Sequence, residues 1–405
     1  MNVVFVEPAF PSNQREFVRG LQAVGARVHG VGERPYEWLD EELRSWLTDY
    51  VQIGSVTDTT ALRQAVEHYQ SRVWVDRLEA TIESHILPTA EVREACGIPG
   101  TSRRTAWLCR DKPSMKHALA AAGVPTAATT AASTTEEITD FVARIGYPVI
   151  IKPRSGAGAQ GTTKINNDTE LATAIEALGD ADEVAVEEFV EGHEGFYDTL
   201  SVDGTAAHDF VCHYYPNVLE AMRTRWISPQ FVSTNEVDAV GAYAQLKELG
   251  HRVNEVLGIG TSATHMEWFI GDRGLRFSEV GCRPSGVGAW DLYARGNEMD
   301  VYRGWAHAIV RGSSDQVSTR RFAAGMIALR PESDGVISGY SGVDEIWNRY
   351  GEWVIDDHFP APGTGTQPVE AGYMANAWVR MKHPSYDTLR GMLDDVGRTV
   401  RVHAA

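Results

Sequence analysis

The sequence predicts a fold that begins as α/β and continues as α+β. The expectation is an N-terminal domain with parallel strands, a small lid subdomain, and a larger α+β lobe. Three observations carry it. The first hundred residues alternate apolar runs with helix-patterned segments, which is the order of parallel strands joined by crossover helices. Around residues 147–166 a strand, a glycine-rich loop and a second strand follow one another. From about residue 191 the pattern is mixed, with several hairpins.

The elements follow in order. Residues 3–6 (VVFV) form a buried strand, and Glu7 with Pro8 ends the apolar run before it could serve as a signal peptide. Residues 13–24 carry helical spacing, residues 27–31 return as a strand, and 51–53 and 73–75 add two more strands. The break IPGTS at 98–102 closes a Rossmann-like domain over residues 1–102. In "RDKPSMKHALAAAGVPT", Pro113 suits a first helical turn, while Gly123 and Pro125 stop the helix. Helix 135–145 and strand 147–151 lead to the glycine loop and complete a lid subdomain, 103–190 with its linker helix. A subdomain over 191–315, containing the hairpin described below, and a C-terminal α+β lobe over 316–405 make up the rest.

With 405 residues, of which 43% are hydrophobic and 23% charged, the chain can bury two or three domain cores. Fifty-five acidic against 37 basic residues give a net charge of -18, which argues against binding nucleic acid or an anionic membrane surface. Cys96, Cys109, Cys212 and Cys282 are scattered and form no CxxC pair, as expected of reduced thiols. No apolar stretch approaches the roughly 20 residues of a membrane span. The expected location is the cytoplasm.

Residues 156–161, GAGAQG, match the dinucleotide fingerprint G-x-G-x-x-G. That motif needs a helix opening within it, yet the β-branched TTKIN follows directly, and no Lys-Ser or Lys-Thr follows Gly161 to make a P-loop. What remains is a strand–loop–strand flap, able to lay backbone N–H groups over phosphates, or else a loop with no ligand. Lys152, at the end of the strand before the flap, and Lys112, at the start of its helix, are placed to meet phosphate oxygens.

In "THMEWFIGDRGLRFSEVGCRP" the turn at 271–274 separates two strand-like runs. Pairing symmetric about Arg273 sets Glu267 opposite Glu279, Phe269 opposite Phe277 and His265 opposite Gly281. Two carboxylates about 5 Å apart repel unless a cation lies between them, and a magnesium ion suits such a pair. A register slipped by one would instead send the glutamates to opposite faces. Arg283 and the glycine-rich 284–288 follow, offering a guanidinium and backbone amides to an anion.

Together these pieces resemble the ATP-grasp superfamily, and within it carboxylate–amine ligases related to L-amino-acid ligases. The resemblance rests on the DK helix, KPRSGAGAQGT, VEEFVEGHEG, ME…SEVGCRP and GVISGYSGVDEI, and it runs over most of the chain. It implies an ATP-grasp fold behind a pre-ATP-grasp domain, and ATP with Mg2+ (Mn2+ able to substitute). Lys112 and Lys152 then resemble the nucleotide-phosphate lysines, and Ser155, Gly156, Gly158 and Gly161 the phosphate flap. Glu187, Glu188, Phe189 and Val190 resemble the hinge that binds adenine largely through backbone groups, and Glu194 the acid that binds ribose hydroxyls. Glu267 and Glu279 match the metal ligands, and Arg283 the arginine that steadies an acyl phosphate. The family's further metal ligand, an Asn two residues after the second glutamate, is replaced here by Gly281, and His265 is a candidate to fill the gap.

The implied reaction joins a small-molecule carboxylate to an amine, with amino acids as the expected substrates and a homodimer allowed. Substrate selection is expected in residues 212–235, where Arg223 and Arg225 could clamp a carboxylate and Trp226 or Tyr214 line a pocket; a subunit or domain contact is the other reading of that segment. Ser285 and Gly286 are further substrate candidates. A biotin-carboxylase-like enzyme shares the architecture, but Pro-Ser-Gly-Val stands where such enzymes have Gln-Val-Glu-His, and there is no Met-Lys-Met carrier segment. A purine-pathway enzyme and a non-catalytic nucleotide-binding protein are the remaining alternatives.

Overall fold

The computed structural model describes residues 1–155, 161–178, 183–239, 241–369, 372–373 and 376–405. Gly156 and Gly158 of the glycine loop lie outside the described residues. The N-terminal domain runs β1 (Asn2–Val6), α1 (Gln14–Ala23), β2 (Arg27–Gly32), α2 (Glu41–Trp46), β3 (Leu47–Gln52), α3 (Thr59–Gln70), β4 (Arg77–Glu79) and α4 (Glu83–Cys96). Its sheet has the order β3-β2-β1-β4 and is parallel throughout, as the alternation predicts. The strand expected at 73–75 is displaced. Pairing with β1 starts at Arg77, and Trp74 is left 77% exposed. The apolar run records hydrophobicity, and Val75 is indeed buried, whereas the ladder forms further on, where the chain docks on β1 and Leu78 joins the same core. From β1 the order turns to β2 on one side and β4 on the other, a switch point whose carboxyl-end crevice suits ligands. The first turn of α4, with Glu83, stands just beyond β4.

The lid comprises α5 (Arg103–Leu108), α6 (Lys112–Ala121), β5 (Thr129–Ala132), α7 (Thr135–Ile145), β6 (Val149–Pro153), β7 (Thr163–Ile165), α8 (Asp168–Leu178) and β8 (Val184–Glu188). Asp111 caps α6 by accepting from the Ser114 amide at 3.0 Å, and Pro113 fits the first turn, where no N–H is needed. Thr134 and Glu137 form a reciprocal capping box on α7. The four strands pair antiparallel in the order β5-β8-β6-β7 over a small core that includes Ile138, Phe141, Ile151 and Val186. The glycine loop therefore joins two directly paired strands, β6 and β7.

The remainder contains β9 (His193–Val202), β10 (Thr205–Tyr215), α9 (Val218–Ala221), β11 (Gln230–Ser233), α10 (Ala242–Leu257), β12 (Ser262–Gly271), β13 (Gly274–Gly281), α11 (Ala289–Asn297) and α12 (Val301–Arg311). It continues through β14 (Ala323–Leu329), β15 (Ile337–Ser341), α13 (Val343–Tyr350), β16 (Val354–His358), β17 (Ala377–His383), α14 (Tyr386–Thr399) and β18 (Arg401–Ala404). One antiparallel sheet, β13-β12-β9-β10-β11-β14-β17-β16, draws strands from both sides of residue 315, and β15 pairs with β18 apart from it. The N-terminal domain is fastened to this body by α1 against α12. The Phe17 ring lies 5.2 Å from Trp290, 4.9 Å from Tyr302 and 5.0 Å from Trp305, and Gly20 leaves no room for a Cβ beside the Tyr302 carbonyl. Each such buried ring contributes about 1.5–3 kcal/mol. Among the described residues no helix is long and apolar enough to cross a membrane.

Candidate active site

The β12–β13 hairpin sets two carboxylates side by side. Glu267 pairs with Glu279, and His265 with Gly281, as symmetry about Arg273 requires. The inner part of the hairpin differs from that expectation: Phe269 pairs with Arg276, and Phe277 with Trp268. The connection is a two-residue turn, Asp272-Arg273, flanked by Gly271 and Gly274, with Gly274 at φ +76°. Such a turn alone would set Glu267 opposite Ser278 and send Glu279 to the other face. A β-bulge absorbs Ser278 and restores the carboxylate pair. Both glutamates remain partly open, 21% and 25% exposed, and both face one cavity. Two hard carboxylate oxygens at the mouth of such a cavity fit magnesium or manganese, leaving positions for phosphate oxygens.

That cavity, of about 480 Å³, lies between the lid and the large sheet. Lys112, Lys116, Lys152, Glu187, Glu194 and the two hairpin glutamates all line it. Lys112 Nζ is 3.5 Å from Glu279, and Lys152 Nζ is 3.9 Å from the same oxygen. Glu187 does more than the hinge role foreseen for it. Its side chain is buried and accepts from Lys116 at 2.6 Å and Lys152 at 2.8 Å. Burial alone would raise the Glu187 carboxyl, but the two ammonium groups outweigh it and hold it at about 2. Burial pulls Lys116 down to about 8 against the opposing pull of Glu187. Burial also works against the Lys152 charge, yet Glu187 and Glu279 leave it raised above the usual lysine value. Removing one member of such a triad strands the others, a loss of about 3–5 kcal/mol.

Around this core the hinge amides are already engaged: Glu188 N–H donates to Ala128 O at 2.9 Å and Phe189 N–H to Pro148 O at 3.2 Å. Lys164 lies 3.7 Å over the Phe189 ring. Glu194 is buried and accepts from the Val218 amide at 2.7 Å. Its carboxyl is pushed up to about 8, chiefly by burial and then by the Glu267 charge.

His265, the candidate for the gap at Gly281, is held by Asp198 and turns its other nitrogen towards Glu267. Nδ1 bonds Asp198 at 2.8 Å and Nε2 points to Glu267 at 3.8 Å. Burial opposes its charge, but Asp198 outweighs burial and raises the ring to about 9. The space at Gly281 is taken by the N-terminal domain instead: a Cβ there would lie 2.9 Å from Glu83 Oε2. Glu83 accepts from Arg283 Nε at 2.6 Å and from Arg110 at 2.9 Å, while Arg283 Nη1 donates to Pro284 O at 2.8 Å. Arg283 is thus aimed by a carboxylate from another domain.

The segment 212–235 divides. Arg223 lines the cavity and donates to the Thr162 carbonyl at 2.6 Å, tying it to the flap beside Gly161. Arg225 pairs with Asp334 and Trp226 is 87% exposed, and neither lines the cavity. Tyr214 is buried and lies outside the cavity wall. Ser155, Ser285 and Gly286 do not line the cavity, although Ser285 and Gly286 stand next to Arg283. Sequence reasoning missed Lys116, Glu83, Arg110, Asp198 and Arg330, whose Nη1 donates to Thr224 O at 3.1 Å. Only Lys116 left a readable sign, the i,i+4 spacing from Lys112 on one helix face.

Within this lid, sheet and carboxylate hairpin, residues 117–297 match the ATP-grasp domain family. The chain therefore carries an ATP-grasp domain over these residues and has the ATP-grasp fold. It is 24% identical over 313 residues to the L-arginine-specific L-amino acid ligase of Bacillus subtilis, covering 75% of this chain and 74% of the relative. It is 25% identical over 310 residues to a formate-dependent phosphoribosylglycinamide formyltransferase of Synechococcus sp. (strain CC9311), covering 74% and 75%. The crystal structure of an L-amino acid ligase from Bacillus licheniformis superposes with a TM-score of 0.78 at 16% identity, over 100% of this chain and 98% of that one.

Proposed function

We propose that the protein is an ATP-dependent carboxylate–amine ligase that forms an amide or peptide bond between amino acids, releasing ADP and phosphate. The observation that carries this reading is the Glu267–Glu279 pair at the end of a cavity lined by Lys112, Lys116 and Lys152. A carboxylate is too weak an electrophile for an amine at neutral pH. It attacks the γ-phosphorus of ATP, the bond to ADP breaks, and an acyl phosphate results. The amine then forms the C–N bond, loses a proton, and phosphate departs.

Lys112 and Lys152 are placed to neutralise charge spreading over the phosphoryl oxygens. Glu267 and Glu279 would hold Mg2+ or Mn2+, which when bound offsets phosphate charge. Glu187 Oε1, buried without a hydrogen-bond partner among the described residues, is an acceptor suited to an amino group of the base, and Glu194 suits ribose hydroxyls. Arg283 supplies a fixed guanidinium for the acyl phosphate. The flap tied by Arg223 would exclude the water that destroys this intermediate.

Phosphate release screened over pairs of amino acids, with mass spectrometry of the products, tests the reading. The expected result is a pair that yields ADP, phosphate and an amide together. Release that depends on formate or bicarbonate, and not on amino acids, would overturn the amino-acid assignment. The formate arm is worth running because of the similarity to the formyltransferase.

A further inference from the structure

Arg380, in β17, belongs to no role assigned above, yet it reaches the loop that follows Arg283. It is 6% exposed, and its guanidinium carbon lies 4.2 Å over the Trp378 ring. Nη1 donates to Asp291 in α11 and to Asp356 in β16, each at 3.1 Å. Asp356 is its direct partner across the β16–β17 pair, so the guanidinium is gripped from its own sheet. On its far side Nη2 lies against Gly288. A Cβ there would come within 1.7 Å of Nη2, and Gly288 sits at φ +72° as the N-cap of α11.

The loop so held is under backbone strain. Val287, β-branched, adopts φ +49°, a conformation that persists only when its surroundings impose it. At the other end of the same five residues, the Pro284 carbonyl accepts from Arg283 Nη1 at 2.8 Å.

We propose that Arg380 is a positioning residue for Arg283: it clamps residues 284–288 between the C-terminal lobe and α11, and thereby holds the guanidinium where the acyl phosphate forms. This rests on the ligase reading. Loosening the clamp displaces Arg283 from the intermediate and admits water, so phosphate is released without an amide. The acyl C–O bond to phosphate then breaks with water in place of the amine, returning the carboxylate.

The experiment compares wild type, Arg380→Gln and Arg380→Lys, measuring phosphate released, amide formed, KM for ATP, and hydrogen exchange of the peptide covering 283–292. For Arg380→Gln we expect amide formation to fall about tenfold or more, with KM for ATP changed by less than about twofold. Amide formed per phosphate should fall, exchange in 283–292 should quicken, and Arg380→Lys should recover part of both. Wild-type coupling and exchange in Arg380→Gln would overturn the proposal. So would a loss in which phosphate and amide fall in equal proportion. If Arg380→Gln does not fold, Asp356→Asn removes one anchor at the sheet edge and carries the same expectations. Should wild type form no amide from any pair, the ligase reading fails by itself, and the exchange measurement still decides whether Arg380 holds the loop.

Discussion

Gly281 shows how one residue can be legible in kind and illegible in cause. Its departure from the family pattern was visible in the sequence, but the reason sits 198 positions earlier, in the Glu83 carboxylate that occupies the space. Gly281→Asn, which restores the family residue, should therefore lower activity, because its side chain collides with the Glu83–Arg283 pair. Initial rates of phosphate release check this, and a gain in rate would contradict it. Glu187 carries a second prediction. Burial opposes its charge, but Lys116 and Lys152 depress its folded pKa to about 2 from an ordinary 4.5. Between those values the unfolded chain binds the extra proton, so stability is complete above about pH 4.5 and is lost as pH falls towards 2. The loss should reach about 3 kcal/mol. Urea unfolding from pH 5 to pH 3 should show it in wild type, with a flatter pH dependence in Glu187→Gln.

At the scale of elements, local signals were read well. Helix 135–145 lies where the sequence predicts, bounded by a capping box and Gly146, and the strand after the glycine loop ruled out a dinucleotide fingerprint. The hairpin was half legible. Its outer pairs follow from symmetry about Arg273, while the inner pairs shift because a two-residue turn and a bulge at Ser278 together give the same sum. Nothing in the local sequence distinguishes a centred loop from a tight turn with a bulge. The aromatic, arginine-rich stretch 212–235 misled for a related reason: composition marks residues that need partners, not which partners they find. Arg225 found Asp334, whereas Arg223 found the flap. Arg223→Ala should raise KM for ATP several-fold, roughly 1 kcal/mol for a lost charge-assisted bond, and should quicken proteolysis in the flap. An unchanged KM and cleavage rate would show that the tie to Thr162 does not hold the flap.

Across the whole molecule, the candidate site is assembled from segments remote in sequence. The lid contributes the lysines, the central hairpin the glutamates, the N-terminal domain Glu83 and the C-terminal lobe Arg380. The strong motifs were legible because each lies within one or two neighbouring strands. Glu83, Arg110 and Asp198 were not, since a lone charged residue acquires its meaning only when the fold brings a counter-charge beside it. The same long-range assembly makes the account testable at one point. Phosphate and amide formation should be measured for wild type and Glu279→Gln over pairs of amino acids with ATP and magnesium. The account predicts equal amounts of ADP, phosphate and amide from wild type, and a loss of about a hundredfold or more in the variant. Unchanged turnover in Glu279→Gln, or phosphate from wild type with no amide from any pair, would contradict it.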